Sequence, residues 1–452
     1  MSTFTPWQLL VDFGFAAGLL LCGQIVRSNV SVVQRLFLPA GVIGGFLGLL
    51  LGPNGAGVLP MSTSIFVYPG MLIALVFATL PFASERVAFS RLSRRIADLW
   101  TFSSVAILLQ WGVGILLTVG VLRVIWHDLN PGFGALIAGG FVGGHGTAAA
   151  MGESFIALGW PEARSLAMTS ATVGILSAIV GGMIWIKWGA HSGQAQFVTR
   201  FEHLPRSLRT GLAPVDGRQS LGAETVSGTS MDSLSLHLGL VGVATLGGYL
   251  LSQWSSGLTV YGKLPVFCMA YACALVLYQL LRAARIVHYV DGKTMTHLGG
   301  ALTDILVVFG IASIKPAVLV EFALPLASLF VVGIATCGVL FRVLGPRFFE
   351  ALWFERSLFT WGWITGVTAM GIALLRIVDP RNESSTLADF GLAYLFIAPL
   401  EIGLVVMMPA LLVSGHAWLL VALTLGAVAV LTAIKLSTAK AAMDSIDHEV
   451  TE

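Results

Sequence analysis

The sequence predicts an all-α polytopic membrane protein. It is read as two inverted-topology repeats, each of five transmembrane helices and one re-entrant hairpin, with one extra C-terminal span. Three observations lead there. Of 452 residues, 56% are hydrophobic and 11% charged, and the mean hydropathy is +0.87; soluble domains carry about a quarter charged residues. The apolar residues arrive in runs that reach bilayer length, about 20 residues each. The basic residues gather on alternate connections between those runs. This composition excludes a cytosolic enzyme and a disordered scaffold, and a net charge of +2 leaves no polybasic face for nucleic acid.

The first run begins in MSTFTPWQLLVDFGFAAGLLLCGQIV, which has no basic leader and no small-residue cleavage site. It reads as a first span rather than a removed signal peptide. Spans are expected at 7–26, 36–52, 65–82, 99–125 and 165–188, then at 233–251, 264–281, 296–314, 317–341, 389–413 and 416–436. Two more apolar segments, 131–151 and 357–375, are packed with Gly, Thr and Ala and read as hairpins.

Charge orders this map. With the N-terminus outside and both hairpins returning to the side they left, only Arg123, Arg164, Lys263 and Lys315 of the 25 Lys and Arg lie outside. The rest are cytoplasmic, as basic residues flanking spans should be. Full crossings at the hairpins would put the basic stretches 83–98 and 189–232 on opposite sides. The run Glu85, Arg86, Arg91, Arg94 and Arg95 is explained as a solvated anchor.

The organisation that follows is an N-terminal repeat, 1–188, a polar cytoplasmic linker, 189–232, a C-terminal repeat, 233–413, and an extra helix with a cytoplasmic tail, 414–452. The first half starts outside and the second inside, because five crossings reverse the side. Short echoes accompany the plan: LVFATL (75–80) against VVFGIA (307–312), and HGTA (145–148) against GVTA (366–369). Inverted repeats of this kind mark transporters.

The hairpins carry the chemistry. In PGFGALIAGGFVGGHGTAAAMG (131–152), Gly143, Gly144, His145, Gly146, Thr147 and Ala148 form the expected tip. Glycine permits the irregular backbone and a close ligand approach. A helix N-terminus at such a break offers N–H groups to a carboxylate, and unwound carbonyls suit Na+. The alternative is a small-residue helix contact. In FTWGWITGVTAMGIALLRIVDP (359–380), Thr365, Gly366, Thr368 and Ala369 form the matching tip; either Thr could instead bond back to its own helix.

Ionisable groups within spans each need a reason. Asp304, in HLGGALTDILVVFG, is a sodium ligand or a structural carboxylate; Glu401, in APLEIGLVVMMP, is a cation ligand or a protonated core residue. Asp12 reads as structural. Arg376 could pair with a substrate carboxylate, snorkel, or pair with Asp379. His145 has no metal-ligating partners and reads as bonded to the hairpin backbone, with substrate contact second. Cys22, Cys268, Cys273 and Cys337 have neither metal spacing nor His partners and read as small hydrophobes.

GGHGTAAAMG (143–152) resembles the first-hairpin motif of the bacterial sodium/glutamate symporters. FLPAGVIGGFLGLLLGP (37–53), TDILVVFGIASIKP (303–316) and TGVTAMGIALLRIVDP (365–380) extend the likeness, from about residue 10 to 413. The second hairpin lacks a T-P-T tip, and span 416–436 is additional. The resemblance implies a sodium-coupled glutamate carrier of the bacterial inner membrane, with hairpins entering from opposite faces, a homodimer in lipid and elevator-type movement. It makes Gly143, Gly144, His145, Gly146, Thr147, Thr365, Gly366, Thr368 and Arg376 candidates for substrate. Asp304, Glu401, Ala148 and Ala369 become candidates for Na+, the coupling ion, with no other cofactor expected. A carrier of another dicarboxylate or hydroxycarboxylate is the alternative. A channel fits paired broken hairpins less well. No H-E-x-x-H, G-x-S-x-G or P-loop string supports an intramembrane enzyme or a nucleotide-driven pump.

Overall fold

The computed structural model describes residues 5–83, 94–196, 210–215, 218, 220–255, 264–379 and 383–451. The basic run at 84–93, and Arg200, Arg206, Arg209, Lys263 and Arg381, lie outside these residues. Among the described residues every regular element is a helix. Ten helices among them are long and apolar enough to cross a membrane. The chain is a multi-pass membrane protein.

The labelled helices run in chain order: α1 Pro6–Asn29, α2 Ala40–Leu51, α3 Tyr68–Ala83, α4 Arg94–Leu117, α5 Ala135–Phe141, α6 Gly144–Ala157 and α7 Ala163–His191. They continue as α8 Ser233–Trp254, α9 Val266–Ala283, α10 Gly292–Ala312, α11 Ala323–Val339, α12 Trp353–Thr365, α13 Thr368–Val378, α14 Thr386–Val413 and α15 Ala417–Thr451.

Two expected spans need correction. The span at 36–52 is the 12-residue α2. It rises about 18 Å, short of a hydrocarbon core about 30 Å thick. Pro39 fixes its start, after Phe37 at φ 48°, and the chain leaves helix at Gly52. The span at 317–341 starts later, at Ala323, because Pro316–Glu321 forms its own short helix and the chain turns at Phe322. It then runs on to Phe348. The fourth helix of each half carries a five-residue π-turn, Thr118–Leu122 and Leu340–Leu344.

The chain folds into two compact units, each drawing on both sides of the 189–232 stretch. The first comprises Met1–Arg86, His145–Thr172 and Pro205–Glu321. In it α10 packs on α2 and α3, and α8 on α9. The crossing of α1 and α2 needs glycine: a Cβ on Gly44 would lie 2.6 Å from the Leu19 carbonyl oxygen. Close backbone approach of this kind replaces the hydrophobic drive that lipid removes. Asp12 is fully buried and accepts from Ser62 N (2.7 Å), Ser62 Oγ (2.6 Å) and Tyr68 Oη (2.6 Å). Those donors satisfy a group that would otherwise be costly to bury.

The second unit comprises Val87–Gly144, Val173–Leu204 and Phe322–Glu452. Here α4 is central, flanked by α15, α14 and α11, and α12 lies against α13. The additional helix α15 is tied to α4 by Lys435 Nζ and Asp98 Oδ1 at 2.5 Å, both largely buried. Arg356 Nη2 pairs with Asp389 at 2.9 Å and Arg95 reaches the same carboxylate at 3.1 Å. Aromatic rings fill the space around α7: Trp185 stacks on Phe341 with centroids 4.5 Å apart. The Trp361 indole N–H donates to the Ala178 carbonyl at 3.2 Å.

Candidate functional site

Both Gly-rich segments are interrupted helices. In the first, Asn130 Oδ1 accepts from Gly132 N at 2.8 Å and starts a 3-10 turn that leads into α5. The helix stops at Val142, which is extended, and Gly143 and Gly144 follow at φ 74° and 60°. Only glycine adopts such dihedrals without strain. In the second, α12 ends at Gly366 (φ −133°, ψ −102°), Val367 is extended, and α13 begins at Thr368.

Within the second unit the two interruptions touch. A Cβ on Gly144 would lie 2.5 Å from Val367 Cγ1 and 3.2 Å from the Gly366 carbonyl oxygen. Gly174 of α7 lies against the Thr365 carbonyl so closely that a side chain there would collide with it. Gly143, Gly144, Thr365, Gly366, Thr368 and Ala369 thus share one neighbourhood.

Its polarity comes from backbone. The N-cap of α13, Val367, offers no side-chain acceptor to the first amides of that helix. Those amides and the helix dipole make a place for an anion. At the opposite side of the break, Gly366 N donates to the Gly362 carbonyl at 3.1 Å, while among the described residues no backbone amide beyond the helix donates to the Trp363 or Thr365 carbonyl. Carbonyls at a helix C-terminus favour a cation. The Thr365 hydroxyl bonds back to its own helix, donating to Trp361 O at 2.6 Å. Thr368 is half-buried at the first position of α13.

One polar side chain at this break was not anticipated. Gln110 of α4 is buried and its Nε2 donates to the Ile364 carbonyl at 2.8 Å, with Cys337 Sγ at 3.2 Å. In sequence it is an uncharged residue inside VAILLQWGVG (105–114), and a search for ionisable groups passes over it.

In the first unit, His145 is buried and its Nε2 lies 3.1 Å from Thr172 Oγ1. Thr172 Oγ1 also donates to Met168 O at 2.9 Å. A hydroxyl has one hydrogen, so His145 Nε2 is the donor and Nδ1 is an acceptor. That Nδ1 is buried with no partner. Thr147 is also buried, and Gly146 is half-buried.

The remaining candidates scatter. Asp304 is exposed midway along α10 of the first unit. Glu401 is buried in α14 of the second unit, where the Tyr394 hydroxyl donates to Oε2 at 3.3 Å. Arg376 is exposed in the last turn of α13, about 12 Å of helix rise beyond Thr368. Ala148 lies within α6, and Ala369, beside Thr368 in the first turn of α13, stays in the neighbourhood of the two breaks. No group of three or more His, Cys, Asp or Glu suited to a metal ion occurs among the described residues, and the four cysteines are free, with Cys22 exposed.

The family model described as sodium/glutamate symporter matches residues 9–354. That stretch contains the first interrupted helix whole and ends as the second begins. Comparison with curated proteins and with solved structures gives no match.

Proposed function

Because the chain belongs to the sodium/glutamate symporter family, we propose that it carries L-glutamate inward with Na+ by elevator-type alternating access. The observation that carries this reading is the meeting of Gly144 with Gly366 and Val367. The two breaks touch, and the second supplies uncapped amides at the start of α13 for a carboxylate beside carbonyls at the end of α12 for a cation. Ligands held that close can stabilise one another, and coupling requires each to change the other's affinity equally.

In this reading the α13 N-terminus and Thr368 bind a substrate carboxylate. Gly143, Gly144, Gly146 and Gly366 keep the backbone accessible. Thr147 and Thr365 shape the tips, and Arg376 supplies a cation toward the substrate. His145 Nδ1, an acceptor, suits the α-ammonium of an amino acid. Asp304 and Glu401 serve Na+; an exposed carboxylate midway along a spanning helix is tolerated where water reaches it.

Inverted repeats with re-entrant hairpins are part of the proposal, and the element boundaries support the repeat. A shift of 222 residues carries the π-turn at 118 onto that at 340, and the start of the first broken helix, 131, onto 353. The same shift carries the end of α7, 191, onto the end of α14, 413. The N-terminus is proposed outside and the C-terminus cytoplasmic, in a homodimer of the bacterial inner membrane.

The test is uptake of labelled L-glutamate into proteoliposomes with Na+ or K+ outside, with unlabelled dicarboxylates and hydroxycarboxylates as competitors. Na+-dependent uptake blocked best by glutamate is expected. Uptake equal in K+ would refute the coupling, and stronger competition by a hydroxycarboxylate would change the substrate.

A further inference from the structure

Gln110 has an oxygen with nothing to hold. Its side chain is 1% exposed, and Oε1 is buried with no hydrogen-bond partner. The amide cannot be turned to relieve this, because Ile364 O accepts only, so Nε2 must face it. Amide geometry then keeps Oε1 within about 5 Å of that carbonyl. Among the described residues no backbone amide beyond the helix donates to the neighbouring carbonyls of Trp363 and Thr365. Gly174 packs against the Thr365 oxygen so closely that only glycine fits there, which leaves the Trp363 carbonyl and the Gln110 oxygen as the less crowded acceptors. An orphaned buried acceptor beside orphaned carbonyls calls for an ion or water. Neutral oxygen donors at the negative end of a helix suit a hard cation.

We propose that Gln110 is a cation ligand, its carboxamide oxygen binding Na+ together with the open carbonyls at the end of α12. This deepens the symport reading and rests on it for the identity of the ion. It adds a ligand from a helix outside both hairpins, so cation binding would fix α12 against α4.

The experiment uses purified full-length protein, with glutamate uptake and intrinsic fluorescence titrated with NaCl; Trp361 and Trp363 lie within the same turn as the proposed site. Gln110→Leu should raise the half-saturating Na+ at least tenfold in both readouts, while the glutamate KM at saturating Na+ changes less than threefold. Gln110→Glu, which keeps an acceptor oxygen, should stay within threefold of the parent in Na+ response. Cys337→Ala, which removes the other Nε2 neighbour, should leave Na+ dependence unchanged. A monodisperse Gln110→Leu protein with the parent's Na+ half-saturation overturns the proposal and leaves the symport reading standing. Equal loss in the Leu and Glu variants also overturns it, marking Gln110 as a cap for Ile364. If the parent shows a Na+ fluorescence response that Gln110→Leu loses, but no Na+-driven uptake, the site stands and the transport reading fails.

Discussion

Gly144 and Val367 belong to different broken helices, yet a methyl group added to Gly144 would fall 2.5 Å from Val367 Cγ1. The same glycine sits at φ 60°. Sterics and dihedral therefore forbid a side chain at this meeting of the two interruptions.

Gly144→Ala should lower glutamate uptake at least tenfold while the protein still inserts. The left-handed dihedral alone costs an L-residue about 1–2 kcal/mol. Adding Val367→Ala relieves the collision but not the dihedral, so the double variant should recover part of the lost uptake. Initial uptake rates normalised to reconstituted protein measure both.

His145 and Asp304 should separate by readout. His145→Ala removes the imidazole with its open Nδ1 and should raise the glutamate KM more than the half-saturating Na+. Asp304→Asn should do the reverse. Paired titrations of substrate and Na+ distinguish them, and equal effects on both constants in both variants would contradict the assigned roles.

The start of α10 gives a pH-dependent prediction. Asp291 Oδ2 accepts from Thr294 N at 2.8 Å and Thr294 Oγ1 at 2.7 Å. Burial alone would raise its carboxyl pKa, but the Thr294 bonds, the Ala223 amide and His237 outweigh it and hold it below the usual range. A depressed carboxyl pKa stabilises above the unfolded value, and the gain fades as pH falls through the folded value. Asp291→Ala should therefore destabilise the detergent-solubilised protein by about 1 kcal/mol near neutral pH, as loss of an N-cap does. The difference in Tm from the parent should shrink toward pH 3.

Lys435 and Asp98 join α15 to α4. Removing one member of a buried pair strands the other and costs about 3–5 kcal/mol, whereas replacing both with apolar residues can be neutral. Lys435→Met should lower Tm sharply, and Lys435→Met with Asp98→Leu should restore most of it. Melting curves of the three proteins decide this.

Long apolar runs made ten membrane-length helices legible among the described residues, because about 20 such residues have few other uses. Ala40–Leu51 escaped because Phe37 and Leu38 lengthen the apolar string while Pro39 breaks the helix, and composition alone is blind to that break. The glycine clusters revealed both interruptions in α5–α6 and α12–α13. Their contact through Gly144 was not legible, since it joins residues more than 200 positions apart. Gln110 was missed for a different reason: its importance lies in an unpaired oxygen, and pairing is a property of packing. The regular spacing of element ends was hidden too, because many apolar residues serve equally well in a membrane helix, so two repeats can keep their element ends while their sequences diverge.

In the proposed cycle Na+ and glutamate move together. Proteoliposomes with equal glutamate inside and out, an inward Na+ gradient and the membrane potential clamped to zero test it without a substrate gradient. Internal glutamate should rise above the external level and fall back when the Na+ gradient is collapsed. Glutamate that remains at equal concentration on both sides, whatever the Na+ gradient, would contradict it.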